Sequence, residues 1–170
     1  MSQTQVERLL IKDRTSLMVD MWRLHTNITI SGAETTDITA NLERVDTDGF
    51  GQLGTGMSES SGIFTFPSTG LYKITCNGYW FRNSSASAYN SVNIYTTTDN
   101  STYNAAAYAF VNLPDSSSYY SSGTCHHFLD VTSTTNVKVK FTHQTGASAI
   151  LGGGSGDNRT YFLFEKMGDT

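Results

Sequence analysis

Charge is scarce in this chain. Only 15% of its 170 residues are charged, and 15 Asp and Glu outnumber 11 Lys and Arg for a formal net charge of -4. Binding to nucleic acid or to an anionic membrane needs concentrated Lys and Arg to meet phosphates, so neither is expected as the general role. No run approaches the roughly 20 apolar residues that cross a bilayer as a helix, and no membrane insertion is expected. Residues 1–5 are polar, and Glu7, Arg8, Lys12, Asp13 and Arg14 interrupt the apolar residues that follow. That is not a signal-peptide pattern, which points to synthesis in a cytoplasm. Cysteine occurs twice, as Cys76 and Cys125. Without a secretory pattern such a pair reads as two buried thiols rather than as a disulfide framework.

Catalytic signatures are missing as well. There is no G-x-S-x-G nucleophile elbow, and "GGGSG" at residues 152–156 lacks the G-K-[ST] ending of a phosphate loop. His25, His126, His127 and His143 fall into no hydrolytic pattern, so no enzyme is expected. Asp46, Asp48, Asp99 and Asp157 are acidic loop residues whose oxygens suit calcium, but their spacing fits no calcium loop, and no cofactor is expected. The sequons at Asn27, Asn83, Asn100 and Asn158 are ordinary in a chain so rich in Asn, Ser and Thr.

What the chain has in quantity is aromatic side chains, 12% of the total, with 9 Tyr and 9 Phe. From residue 27 onward they occur in short segments rich in β-branched and aromatic residues: "NITISG", "ITANLERV", "GIFTFPSTGLYKITCNGYWF", "SVNIYTTTDN", "YNAAAYAFVN", "GTCHHFLDV", "NVKVKFTHQ" and "RTYFLFEK". Gly, Asn, Asp and Ser bound each of them; "DTDGFGQLGTG" is turn chemistry, and "AILGGGSGDN" reads as a flexible loop. The pattern predicts an all-β sandwich or barrel. Residues 1–23 differ: Val6, Leu9, Leu10, Ile11, Leu17, Met18, Met21 and Trp22 are apolar, sit among near-balanced charges and follow no single period. They are expected to form a docking or assembly arm ahead of a head domain at residues 24–170.

Within "GIFTFPSTGLYKITCNGYWF", residues Gly62, Phe64, Pro67, Gly70, Tyr72 and Ile74 form G-x-F-x-x-P-x-x-G-x-Y-x-I. This resembles the G-x-F-x-x-P-x-x-G-x-Y-x-F pattern of the globular heads of the complement-subcomponent and tumour necrosis factor superfamily. Leu129, Val131 and Val137 in "FLDVTSTTNVKVKF" stand at the apolar positions of that superfamily's next strand pair, with Thr134 and Thr135 where it usually has Gly-Asp. "SGDNRTYFLFEKMGD" resembles its last strand. The resemblance covers roughly residues 24 to 169. It implies an antiparallel jelly-roll sandwich of about ten strands that assembles as a homotrimer. No Gly-X-Y period is present among these residues, so the collagen-like stalk of the complement branch is not expected.

Alternation divides the segments into faces. Tyr72, Ile74, Cys76, Gly78 and Trp80 share one side with Cys125, His127, Leu129, Val131, Phe162 and Phe164, and these fit between two sheets. Lys73, Thr75, Asn77, Tyr79, Thr124, His126, Phe128, Tyr161 and Leu163 share the other. The resemblance implies that this second face lines the threefold axis. Adjacent strand residues point to opposite faces, so His126 and His127 cannot hold one metal together; His126 is expected as an interface histidine. Tyr119 and Tyr120, in the Ser-rich residues 113–123, are candidates for stacking on a host surface glycan.

A trimeric head with an apolar arm and no active site resembles the virion proteins of tailed bacteriophages. The expected role is a capsid decoration, head fibre or fibre knob on the virion surface, docked to capsid or tail proteins through the arm. Host recognition through a glycan, and a secreted complement- or cytokine-like ligand, are the alternatives.

Overall fold

Two long alternating segments set the architecture. In β7 (Gly70–Arg82) and β10 (Tyr120–Val131), apolar side chains such as Tyr72, Ile74, Trp80, Leu129 and Val131 recur at every second position, which buries one face and leaves the other more exposed. They pair antiparallel along the full length of β10, with Cys76 opposite Cys125 and Tyr72 opposite Leu129. The structure, a computed structural model, describes residues 17–84, 86–115 and 119–170. Among these there are strands and turns and no helix.

On its other edge β7 meets β13 (Tyr161–Gly168) and, further along, β12 (Ala149–Leu151). Next to β13 lies β1 (Met18–Leu24), followed by β4 (Leu42–Arg44), while β2 (Ile28–Ile30) flanks β12. The second sheet runs β5 (Ser58–Ser60), β6 (Ile63–Thr65), β11 (Lys138–Thr145), β8 (Ser87–Thr97) and β9 (Asn104–Leu113), with β3 (Glu34–Asp37) beside β11. Two antiparallel sheets face each other in a jelly-roll sandwich: the strand pattern predicts the sandwich, and the family resemblance implies the jelly roll.

Their inner faces meet in one aromatic core. Phe64 and Phe141 of one sheet pack on Trp22, Phe162 and Phe164 of the other, and Tyr72, Trp80 and Ile74 are fully buried beside them. The glycines of the G-x-F-x-x-P-x-x-G-x-Y motif are explained by the backbone. Gly62 has φ +82° and Gly70 φ +134°, and a Cβ at either would run into a carbonyl oxygen, of Ile38 and of Gly168 respectively. The motif tyrosine, Tyr72, donates its hydroxyl to Ser68 O at 3.0 Å and lays its ring 4.7 Å from Phe66.

Three sequence expectations need correction. Residues 18–23 are not part of a separate arm: Met18, Met21 and Trp22 lie in β1, paired on both sides, and Met18 is in the core. Short charged strands hide their period, because Asp20 points inward yet is satisfied by Arg44 Nε at 2.9 Å, Trp22 Nε1 at 3.0 Å and Met57 N at 2.7 Å. Leu17 is exposed just before this strand, and Val6, Leu9, Leu10 and Ile11 lie outside the described residues. The "AILGGGSGDN" segment is not simply a loop either. Ala149 and Leu151 are buried in β12, and the amides of Gly152 and Gly154 donate to Tyr79 O at 2.7 Å and Leu24 O at 2.9 Å. Finally, β3 forms where the sequence shows no strand pattern, since all four of its residues are exposed.

Candidate functional site

The outward face of the β10–β7–β13–β1 sheet carries the unusual side chains. Register places them in rows: Phe128, Lys73 and Glu165; His126, Thr75, Leu163 and Met21; Thr124, Asn77, Tyr161 and Arg23; then Ser122 with Tyr79, and Tyr120 with Phe81. Phe128 is 51% exposed and carries the His126 ring edge-on at 6.3 Å. Tyr79, Tyr161 and Leu163 are half-buried, and Lys73 pairs with Glu165 at 3.0 Å. All nine residues of the expected threefold face thus share one face of one sheet. Three of them, Lys73, Asn77 and Thr124, are already engaged in polar contacts within the chain. Asn77, only 8% exposed, donates to Arg159 O at 2.7 Å and accepts from Thr124 Oγ1 at 2.7 Å and Ser122 Oγ at 2.9 Å.

At the Phe81 end the face opens into a cleft of about 460 Å³ lined by Tyr79, Phe81, Tyr120, Asp157 and Arg159. Tyr79 and Tyr120 are stacked, with centroids 5.8 Å apart and planes 15° from parallel; Phe81 lies 6.0 Å from Tyr120. The Arg159 Nε sits 2.9 Å from Asp157 Oδ1 at the rim. Of the two tyrosines expected to stack on a glycan, Tyr120 lines this cleft and Tyr119 precedes β10 outside it; residues 116–118 of the same segment lie outside the described residues. Phe81 and Arg159 were not among the expected site residues. Alternation from Tyr79 is enough to place Phe81 on the same face, whereas nothing local marks Arg159.

Of the other acidic loop residues, Asp46 and Asp99 are engaged elsewhere in the fold. Asp46 pairs at 3.1 Å with Arg23, whose guanidinium is 1% exposed and also donates to Glu43 Oε1 at 2.7 Å. Asp48 sits in a turn with φ +55°. Asp99 closes the β8–β9 turn: the Thr102 and Ser101 amides and the Thr97 hydroxyl all donate to Oδ1, holding its carboxyl well below the usual range. Among the described residues, no three His, Cys, Asp or Glu side chains gather as a metal site.

His127 faces inward and half-buried, and burial pushes its pKa down. His143 is buried and likewise pushed down by burial, against an opposing pull from Glu34 at 3.7 Å. Cys76 and Cys125 are free, buried thiols, and burial raises Cys76.

No protein-family model and no curated protein sequence matches the chain. Solved structures do. Murine APRIL at pH 5.0 matches with a TM-score of 0.62 at 12% identity, over 89% of this chain and 99% of that one. Eiger TNF from S. frugiperda matches with a TM-score of 0.64 at 12% identity, over 91% of this chain and 95% of that one. At such identity the likeness is one of backbone: this chain has the jelly-roll fold of tumour necrosis factor-like proteins.

Proposed function

We propose that the chain is a non-enzymatic binding head that works as a homotrimer, with the outward face of the β10–β7–β13–β1 sheet as the contact between copies. One observation carries this reading: Phe128, Leu163, Met21 and Tyr161 lie together on the outward sheet face, where Phe128 is 51% exposed and the other three are only half-buried by the described residues. Fully burying such a side chain contributes roughly 1.5–3 kcal/mol, so a few per copy suffice for association. The superfamily that the sequence resembles assembles through this same sheet, which supports the assignment.

We place this trimer on the surface of a tailed-phage particle, as a capsid decoration, head fibre or fibre knob docked through residues 1–16. Loops dominated by Ser, Thr, Asn and Gly, and the apolar Val6, Leu9, Leu10 and Ile11, support that placement. Three arms on one trimer reinforce a modest contact through effective concentration. The backbone likeness to murine APRIL and Eiger TNF supports a second reading, a cytokine-like ligand for a cell-surface protein.

Light scattering tests the assembly: the expected mass is three times the 18.6 kDa chain, and Phe128→Asp with Leu163→Asp should reduce it to one. An unchanged trimer mass in that variant refutes the proposed contact. Removal of residues 2–16 should leave the trimer intact and abolish co-sedimentation with particles. Retained particle binding would place docking elsewhere, and binding to cells instead of particles would favour the ligand reading.

A further inference from the structure

We propose that the cleft formed by Tyr79, Phe81, Tyr120, Asp157 and Arg159 is a subsite for an uncharged, hydroxyl-rich ring, a neutral pyranose of a glycan. This cleft goes beyond the trimer reading: it lies at the Phe81 end of the same face and shares only Tyr79 with the nine residues expected at the subunit contact. Phe128 sits opposite Lys73 and Tyr120 opposite Phe81. Those two positions are roughly 26 Å apart along β7 at the rise of an extended strand.

Size and shape come first. The cleft encloses about 460 Å³, within the roughly 300–1,000 Å³ typical of small-ligand sites. Its walls are three rings, and Tyr120 is 59% exposed although it stacks on Tyr79. The face of an aromatic ring carries partial negative charge, and the axial C–H groups of a pyranose carry partial positive charge, so the two surfaces attract while both leave water.

The polar groups decide the class of ligand. An isolated guanidinium in such a place would select phosphate or carboxylate. Here the Arg159 Nε lies between the two Asp157 oxygens, at 2.9 Å and 3.0 Å, and the pair is neutral as a whole. The terminal nitrogens of Arg159 bond to no described residue, and the carboxylate keeps free lone pairs. Donors and acceptors side by side, with no net charge, match vicinal hydroxyls.

The site is also built in advance. A Cβ at residue 152 would lie 2.7 Å from the Tyr79 ring and 3.0 Å from the Phe81 ring, so only glycine lets both rings lie against this segment. The Gly152, Gly153 and Gly154 amides donate to Tyr79 O, Asn27 Oδ1 and Leu24 O, which anchors the start of the β12–β13 connection that carries Asp157 and Arg159. A cleft already ordered loses little entropy on binding.

Saturation-transfer NMR on the full chain tests the proposal, with the methyl glycosides of glucose, galactose, mannose and N-acetylglucosamine as probes and inorganic phosphate as competitor. At least one glycoside should receive saturation through its ring protons, phosphate should not displace it, and Tyr120→Ala and Arg159→Gln should each weaken binding about tenfold or more. Binding should persist in the Phe128→Asp, Leu163→Asp variant, which separates this site from the subunit contact. Absence of transfer to all four glycosides, displacement by phosphate, or unchanged affinity in Tyr120→Ala overturns it. So does a fall in oligomer mass in Tyr120→Ala, because the cleft would then be covered by a second copy.

Discussion

Phe64 is fully buried where the two sheets meet, with the rings of Trp22, Phe141, Phe162 and Phe164 around it at centroid distances of 5.4, 5.5, 6.3 and 5.1 Å. Edge-on and tilted contacts of this kind add to plain burial, and none of the four neighbours can close the space left by a truncated side chain without leaving its own partners. Phe64→Ala should therefore cost about 3–5 kcal/mol, measured by denaturant unfolding. A loss below 1 kcal/mol would mean that the two sheets do not meet through this residue. Isolated residues on the surface carry less weight. Lys73 and Glu165 are both partly exposed, and their ion pair contributes little to folding.

The clearest single element is the hairpin of β5 and β6. Ser60 pairs with Ile63, leaving a two-residue loop of Ser61 at φ +51° and Gly62 at φ +82°. Two positive φ angles in such a loop are the signature of a type I′ turn, whose twist matches the flanking strands. The Glu59 carboxylate accepts from the Gly62 amide at 2.6 Å and closes the turn. Because a side chain at 62 would also meet the Ile38 carbonyl, Gly62→Ala should cost at least about 1–2 kcal/mol and lower the thermal midpoint. A variant as stable as the wild type would show that the turn relaxes freely. The same hairpin delivers Phe64 to the core, so the motif glycine and the motif phenylalanine serve one purpose: a sharp turn followed by an anchor.

At the scale of the whole molecule, acidity is a lever on stability. His143 is buried, its Nδ1 has no partner among the described residues, and burial pushes its pKa below the ordinary value; His127 is shifted the same way. In the unfolded chain both take up a proton below about pH 6.5. The unfolded state then binds more protons than the fold, so stability is full above that pH and falls as the pH drops from there toward the folded values. Asp99 acts in a separate window, because a depressed carboxyl contributes stability above the ordinary carboxylate range and loses it only below about pH 4. Thermal midpoints measured between pH 7.5 and 5 should decline, and His143→Gln should flatten that decline. An identical slope in the variant would assign the pH response to other groups.

The sequence by itself determined which residues face inward along β7, β10 and β13, and its motif singled out Gly62 and Gly70, the two glycines whose positive φ the fold requires. Alternation and positive φ are local, and a chain cannot bury one face of a strand without declaring it every second residue. Only the tertiary structure decided what those faces are placed beside. Arg23 is charged yet buried because Glu43 and Asp46 arrive from a different strand and loop, so residues 18–23 belong to the sheet although their period is unreadable. Ala149 and Leu151 are a strand because β7 and β2 offer hydrogen bonds on both sides. The cleft exists because register sets Tyr120 opposite Phe81, and the β12–β13 connection returns Asp157 and Arg159 to the same end. Such coincidences join residues up to 80 positions apart, and the energy that fixes them is the burial of the opposite face, which no short stretch of sequence contains.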